Sequence, residues 1–268
     1  MLTGSPEMDT ALLAGICGFV GLFIGSFLNV VIDRVPAGES VVSPRSRCPR
    51  CGTEIKAYDN IPVLSWLILR GRCRACGEPI SVRYPLVELA TGVLFGATAW
   101  WIGLSWQLPA FLYLAAIAVA LSMIDFDTKR LPDAIVLPSY VVSFVLLGAA
   151  ALAEDRWSDL LRGVLGGAAV FAFYFLLAII KPGGMGFGDV KLGGILGLYL
   201  GWFSWGAVVV GTFAGFILGA VVGLVVMAAR KGDRKTKVPF GPFMFMGTYV
   251  AFAFAQPLVD WYVGSLGL

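Results

Sequence analysis

The sequence contains no histidine, which removes Ser–His and Cys–His nucleophile relays, histidine-ligated haem and HExxH zinc sites together. Charge is scarce as well: 14% of the 268 residues are Asp, Glu, Lys or Arg, where a soluble domain carries about 25%. With 58% hydrophobic residues and a mean hydropathy of +0.84, a soluble single-core fold, a disordered chain, a disulfide scaffold and a coiled coil are all poor fits. No Lys or Arg precedes Arg34, whereas Glu7 and Asp9 do. A secretory signal opens with basic residues, so the expectation is an uncleaved N-terminus on the non-cytoplasmic side. The chemistry left to this chain runs on carboxylates, thiolates, lysines or a cofactor.

What the sequence has in quantity is uncharged apolar length. Residues 11–32 give one span of the roughly 20 residues a bilayer requires. Residues 89–124 hold two, broken near Gly103–Pro109, and 134–153 and 163–180 hold one each. Residues 192–229 hold two more with a turn near Gly201–Gly206, and 238–259 supply the eighth, the sixth being short. Eight spans starting outside place the loops 33–84, 125–133, 181–191 and 230–237 inside, with nine, two, two and five Lys/Arg residues. That is 18 of 20, only Arg156 and Arg162 falling outside, and the positive-inside rule makes the chain N-out and C-out. The fold class is therefore an all-α polytopic membrane protein of about eight helices with a small cytosolic loop domain. Three segments follow: residues 1–33, 34–85 and 86–268.

The loop 33–84 carries Cys48-Pro-Arg-Cys51, then 21 residues, then Cys73-Arg-Ala-Cys76, each pair followed by glycine. Two such knuckles at this separation are the pattern of a four-thiolate zinc ribbon, closed and structural because no coordination position stays open. Two disulfides are the alternative, disfavoured by the reducing cytosol in which the topology places the loop. Cys17, inside the first span, reads as a packing residue. Arg45, Arg47, Arg50, Arg70, Arg72 and Arg74 interleave the knuckles. Their expected partner is anionic lipid rather than nucleic acid.

Asp125 closes the third span and Asp189 opens the sixth within Gly184-Met-Gly186-Phe-Gly188-Asp189. Both fall at the same membrane face, where carboxylates are expensive and are functional candidates. Without histidine, an ionised and a protonated Asp form an acid–base couple, and the glycines at 184, 186 and 188 let the backbone come close to an extended peptide. A helix cap or an ion pair with Lys129 or Lys191 is the competing reading. Asp127 and Asp133 fit that reading better, with Asp133 as cap of the fourth helix.

Together these residues resemble the type IV prepilin peptidases, bifunctional leader peptidases and N-methyltransferases of the GxGD aspartic type. The resemblance rests on Gly186-Phe-Gly188-Asp189, on Asp125 followed by Leu131-Pro132-Asp133, and on the two CxxC knuckles. It extends through Gly25-Ser26-Phe27-Leu28-Asn29-Val30, Asn60-Ile61-Pro62 with Ser65-Trp66-Leu67, Arg70-Gly71, Arg83-Tyr84-Pro85 with Glu88, and Pro239-Phe240-Gly241-Pro242. It implies that Asp125 and Asp189 are the catalytic pair, flanked by Gly186 and Gly188. It further implies cleavage of a short basic leader from pilins or pseudopilins at the cytosolic face of the bacterial inner membrane. Methylation of the new N-terminus from S-adenosylmethionine would follow. Asn60, Gly71 and Glu88 lie in matching stretches: Glu88 either contacts the amine or cofactor or anchors the second span, and Gly71 reads as a turn residue before its knuckle.

Three alternatives remain at this level. A transporter using paired carboxylates as a proton relay predicts acids near the bilayer midplane and inverted repeats. A membrane-anchored zinc-ribbon interaction module leaves Asp125 and the glycine run without a role. A peptidase lacking methyltransferase activity is the third. Neither the individual substrates nor the oligomeric state is encoded in these motifs.

Overall fold

In a computed structural model, residues 6–181, 184–229 and 238–265 are described, and the basic run 230–237 lies outside them. Eight long helices and one short one account for most of the chain: α1 (Pro6–Arg34), α2 (Leu64–Ile68), α3 (Arg83–Ile102), α4 (Leu108–Thr128), α5 (Asp133–Glu154), α6 (Trp157–Ile180), α7 (Phe187–Phe203), α8 (Trp205–Ala229) and α9 (Gly241–Ser265). Seven are long and apolar enough to cross a bilayer. The exception is α7, whose 17 residues extend only about 25 Å at 1.5 Å per residue, short of a hydrocarbon core of about 30 Å. The fold is that of an all-helical, multi-pass membrane protein. Helix ends follow local chemistry: Pro85 sits in the first turn of α3, where its missing N–H is not needed. At the other end of that helix Gly103, at φ 71°, turns the chain away.

Two compact units divide the chain, Met1–Met123 and Ile124–Leu268, with α4 running from one into the other. In the first, α1 lies on α3 at glycine-lined closeness: a Cβ at Gly25 would stand 2.7 Å from the Glu88 Cα. In the second, α6 meets α7 through Gly163, Gly166 and Gly167 against Gly194, Gly197 and Gly201; a Cβ at Gly167 would stand 2.8 Å from the Gly194 carbonyl. Within a bilayer, where apolar burial between helices is not a driving force, such close backbone approach supplies the dispersion contact that holds helices together.

Several helices extend past the expected span ends, α1, α6, α7 and α9 by five or six residues. The sequence puts the fifth span at 163–180, outside Arg162, but α6 begins at Trp157 and Arg162 belongs to it. Its guanidinium donates to the carbonyls of Gly201 (2.6 Å), Trp202 (2.7 Å) and Phe203 (2.9 Å) and to Asp159 (2.8 Å). The last carbonyls of a helix have no partner of their own, so the short α7 is capped by a neighbour's side chain and the charge in α6 is satisfied. Replacing Arg162 with Ala strands three acceptors, and the expected loss is about 2 kcal/mol or more, read as thermal unfolding in detergent. Arg162→Lys recovers only part of it, because one ammonium does not reproduce the planar fork.

Candidate active site and metal centre

The second unit brings three chain segments to one point. At the end of α4, Asp125 is 4% exposed, and its Oδ2 accepts the Gly241 backbone N–H at 2.9 Å from the first residue of α9. A Cβ at Gly241 would sit 3.0 Å from that same oxygen and 3.4 Å from Leu131 Cδ2. Leu131, buried in the α4–α5 connection, then reaches α7: a Cβ at Gly188 would stand 3.0 Å from its Cβ. Asp189 occupies the third position of α7, where a carboxylate faces the positive end of the helix dipole. Its Oδ2 accepts the Gly186 N–H at 3.2 Å, and a Cβ at Gly186 would come within 3.1 Å of that oxygen. Leu131 thus lies between the glycine whose amide Asp125 accepts and the glycine that precedes Asp189.

The competing assignments for the acidic residues separate cleanly. Lys191 pairs with Asp133 at 2.7 and 2.8 Å rather than with Asp189, and Lys129 donates to the Phe126 carbonyl at 2.8 Å. Asp133 is not the cap of the fourth long helix after Pro132, as the sequence suggested. It is the first residue of α5, the cap position is Pro132 without a side-chain bond, and its carboxylate is engaged by α7. Asp125 thus accepts the Gly241 amide across the unit, while Asp189 accepts the Gly186 amide at the start of its own helix.

The loop of the first unit forms two near-identical knuckles. Gly52 N–H bonds the Cys48 carbonyl and Gly77 N–H bonds the Cys73 carbonyl, each at 2.9 Å, with both glycines at φ 71°. That left-handed conformation is strained for any residue with a Cβ. Cys48 N–H reaches Thr53 O at 3.0 Å and Cys73 N–H reaches Glu78 O at 2.8 Å, and the antiparallel bridges Arg47–Glu54 and Arg72–Pro79 repeat the pattern. The four sulfurs converge within 4.8 Å of one another. Cys48 Sγ and Cys76 Sγ are 3.7 Å apart, too far for a disulfide at about 2.05 Å but matching the edge of about 3.8 Å of a tetrahedron with Zn–S of about 2.3 Å. All four cysteines are free thiols and form a group able to hold a metal ion. Arg50 and Glu78 pair from one knuckle to the other, and Arg74 grips Asp59 bidentately (2.6–3.0 Å).

The thiols do not behave alike. The Thr53 hydroxyl and amide bring Cys51 down to about 6, and the amides of Cys76 and Ala75 lower Cys73. Cys76 has the Glu78 amide working to lower it, yet desolvation and the three other sulfurs push it up to about 12. A divalent cation held by Cys48, Cys51, Cys73 and Cys76 would relieve that crowding of negative charge.

Two family profiles cover the chain in the same order as the two units. The Bacterial Peptidase A24 N-terminal domain matches residues 19–102 and the Type IV leader peptidase family matches residues 112–224. A prepilin leader peptidase/N-methyltransferase of Stutzerimonas stutzeri is 38% identical over 92% of this chain and 93% of its own length. The chain belongs to the type IV leader peptidase family. Proteins of the same description from Pseudomonas aeruginosa (34%, covering 92% of each chain) and Neisseria gonorrhoeae (36%, covering 88% and 89%) are similar to it as well. No solved structure matches this family member.

The remaining three sequence candidates are held by different partners. Glu88 is buried in α3, and its Oε2 accepts the Val63 N–H at 2.7 Å. Gly71, at φ 65°, closes against the Trp66 ring, where a Cβ would stand 2.8 Å from Cζ2. Asn60 ends a 3-10 turn (Ala57–Asn60) and is exposed. The sequence by itself assigns no role to Gly241 or Leu131, although both belong to stretches that carry the family resemblance. Nothing local in Pro239-Phe240-Gly241-Pro242 announces that its amide meets a carboxylate 116 residues earlier.

Proposed function

We propose that this protein cleaves the short basic leader from type IV prepilins or type II secretion pseudopilins, using Asp125 and Asp189, and then methylates the new N-terminal amine. The observation that carries the reading is Leu131 lying between Gly241, whose amide Asp125 accepts, and Gly188, the residue before Asp189. An ionised Asp takes a proton from water as it attacks the scissile carbonyl, while its protonated partner donates to the carbonyl oxygen. The first Asp then passes its proton to the leaving amine as the C–N bond breaks, and the partner recovers a proton from the collapsing tetrahedral hydroxyl. Gly186 and Gly188 let the Asp189 carboxylate and Leu131 lie directly against the backbone that leads into α7. The precursor's apolar helix lies in the bilayer, its scissile bond at the cytosolic face of the bacterial inner membrane. Residues 86–268 hold the peptidase machinery and 34–85 the loop associated with methyl transfer.

Cys48, Cys51, Cys73 and Cys76 hold a structural zinc ion, whose binding takes the place of the core that this small loop lacks. S-adenosylmethionine is the methyl donor, and peptide hydrolysis supplies the free amine it alkylates. Asn60, Gly71 and Glu88 belong to the methyl-transfer side in this reading. The relatives' description as leader peptidase and N-methyltransferase supports it over a proton-relay transporter. In detergent, purified protein incubated with a pilin precursor is expected to release the leader, and S-adenosylmethionine adds the mass of one methylene to the mature product by mass spectrometry. A precursor left intact overturns the peptidase reading. Cleavage without the mass gain reduces the enzyme to a peptidase.

A further inference from the structure

The short helix α2 is built the wrong way round for water. Leu64, Leu67 and Ile68 stand at i, i+3 and i+4, so they share one face, and all three are exposed, Ile68 by 74%. The opposite side is tied down: Ser65 is buried and donates to Tyr58 O at 2.9 Å, and Trp66 Nε1 donates to Ile80 O at 3.0 Å. Ile61 and Tyr58, immediately before it, are exposed too. An apolar stripe turned outward in a polar, basic loop calls for an apolar surface to cover it.

The depth of α2 says what that surface is. Val63, the residue before the helix, donates its N–H to Glu88 at 2.7 Å. Glu88 lies five residues beyond Arg83, the first residue of α3, which is about 7.5 Å along the helix at 1.5 Å per residue. The charged ends of α1 and α3 meet at one level: Tyr84 OH donates to Asp33 at 3.0 Å, and Asn29 donates to Tyr84 O at 3.2 Å. The start of α2 is therefore on the bilayer side of the level marked by Asp33 and Arg83, not out in the cytosol. The chain accepts strain to put it there. Val63 holds φ 62° and ψ −51°, with Leu64 N–H bonded to Pro62 O at 2.6 Å, a γ-turn of the unfavourable hand at a β-branched residue. Exposed Lys56, Arg70 and Arg72 flank the segment, while the nearby Asp59 is already held by Arg74.

We infer that α2 is an interfacial foot: Leu64, Leu67 and Ile68 insert between the headgroups of an anionic phospholipid bilayer, and Lys56, Arg70 and Arg72 contact the lipid phosphates. The foot holds the thiolate loop against the membrane surface, and the inference stands whether or not the enzymatic reading does. The combination of buried apolar face and basic flank is the arrangement by which short amphipathic segments bind anionic interfaces.

The test uses the full chain in nanodiscs of phosphatidylcholine with a minority of phosphatidylglycerol. Hydroxyl-radical footprinting of the unmodified protein is expected to oxidise Leu64, Leu67 and Ile68 at least about 5-fold less than exposed Val42. A photoreactive benzoyl-phenylalanine placed at position 67 or 68 is expected to give lipid adducts at the level found for position 93, on the exposed face of α3, and about 10-fold above position 42. Phosphatidylglycerol should exceed its bulk share among those adducts by about 3-fold. Oxidation equal to Val42, or cross-links to peptides of residues 124–268 in place of lipid, would overturn the foot. Adducts at the bulk lipid ratio would overturn its basic flank.

Discussion

Asp189→Asn is expected to lower leader cleavage by at least about 10³-fold, and Asp125→Asn by the same order. The amide is isosteric with the carboxyl group, and an amide oxygen still accepts the backbone N–H bonds from Gly186 and Gly241. What is lost is the capacity to exchange a proton, and with no histidine in the chain no neighbouring imidazole can replace it. The double variant should be no worse than the poorer single one, because two groups acting as one couple are not additive. Circular dichroism and thermal unfolding are expected to match the parent, which separates chemistry from folding. A single variant that trims a precursor at the parent rate, with the fold intact, would remove the aspartyl mechanism. Gly188→Leu offers a complementary steric test: the Leu131 Cβ stands 3.0 Å from where the new Cβ would be, so packing around Leu131 is disturbed while both carboxylates remain.

Loss of the metal is the second large effect. Protein prepared without chelator is expected to carry one zinc per chain by elemental analysis, and Cys48→Ser or Cys73→Ser to lose it. Structural tetrathiolate sites contribute about 10–16 kcal/mol of binding free energy, far more than the exposed ion pairs Arg47–Glu54 and Arg50–Glu78 supply. The metal-free loop is therefore expected to become protease-sensitive within residues 34–85. Cleavage by Asp125 and Asp189, both in the second unit, is expected to fall less than methyl transfer. The pH dependence has a definite sign. Thiolates bind the ion and thiols do not, so the site is held at neutral pH and above and is lost on acidification as protons compete with the ion for the four sulfurs. Full zinc retention in the Cys73→Ser variant would exclude the four-sulfur assignment.

Much of this was legible along the chain because it depends on local or summed chemistry. Residue 48 to residue 76 reads as two knuckles since each turn is closed by bonds between residues at most five apart, and only glycine fits the left-handed positions 52 and 77. The uncharged runs mark the helices because a bilayer penalises every uncompensated charge. Arg162 shows where that rule stops: its charge is compensated by the far end of another helix, thirty-nine residues on, and no run of residues displays that. Asp133 fails in the same way, a plausible cap by position and an ion-pair partner of Lys191 in space.

By itself, then, the sequence determined the class of molecule, the absence of histidine chemistry, the four paired cysteines of the two knuckles and the two aspartates as the residual acid–base candidates. Only the tertiary structure decided which groups touch: Gly241 on Asp125, Leu131 between Gly241 and Gly188, Glu88 under the strained turn at Val63, and the outward face of α2. The physical reason is that composition and spacing govern whether a segment can enter a membrane or bend into a knuckle. The approach of backbones separated by tens to more than a hundred residues is set instead by helix packing, and one glycine on an apolar helix looks like any other until a neighbour lies against it.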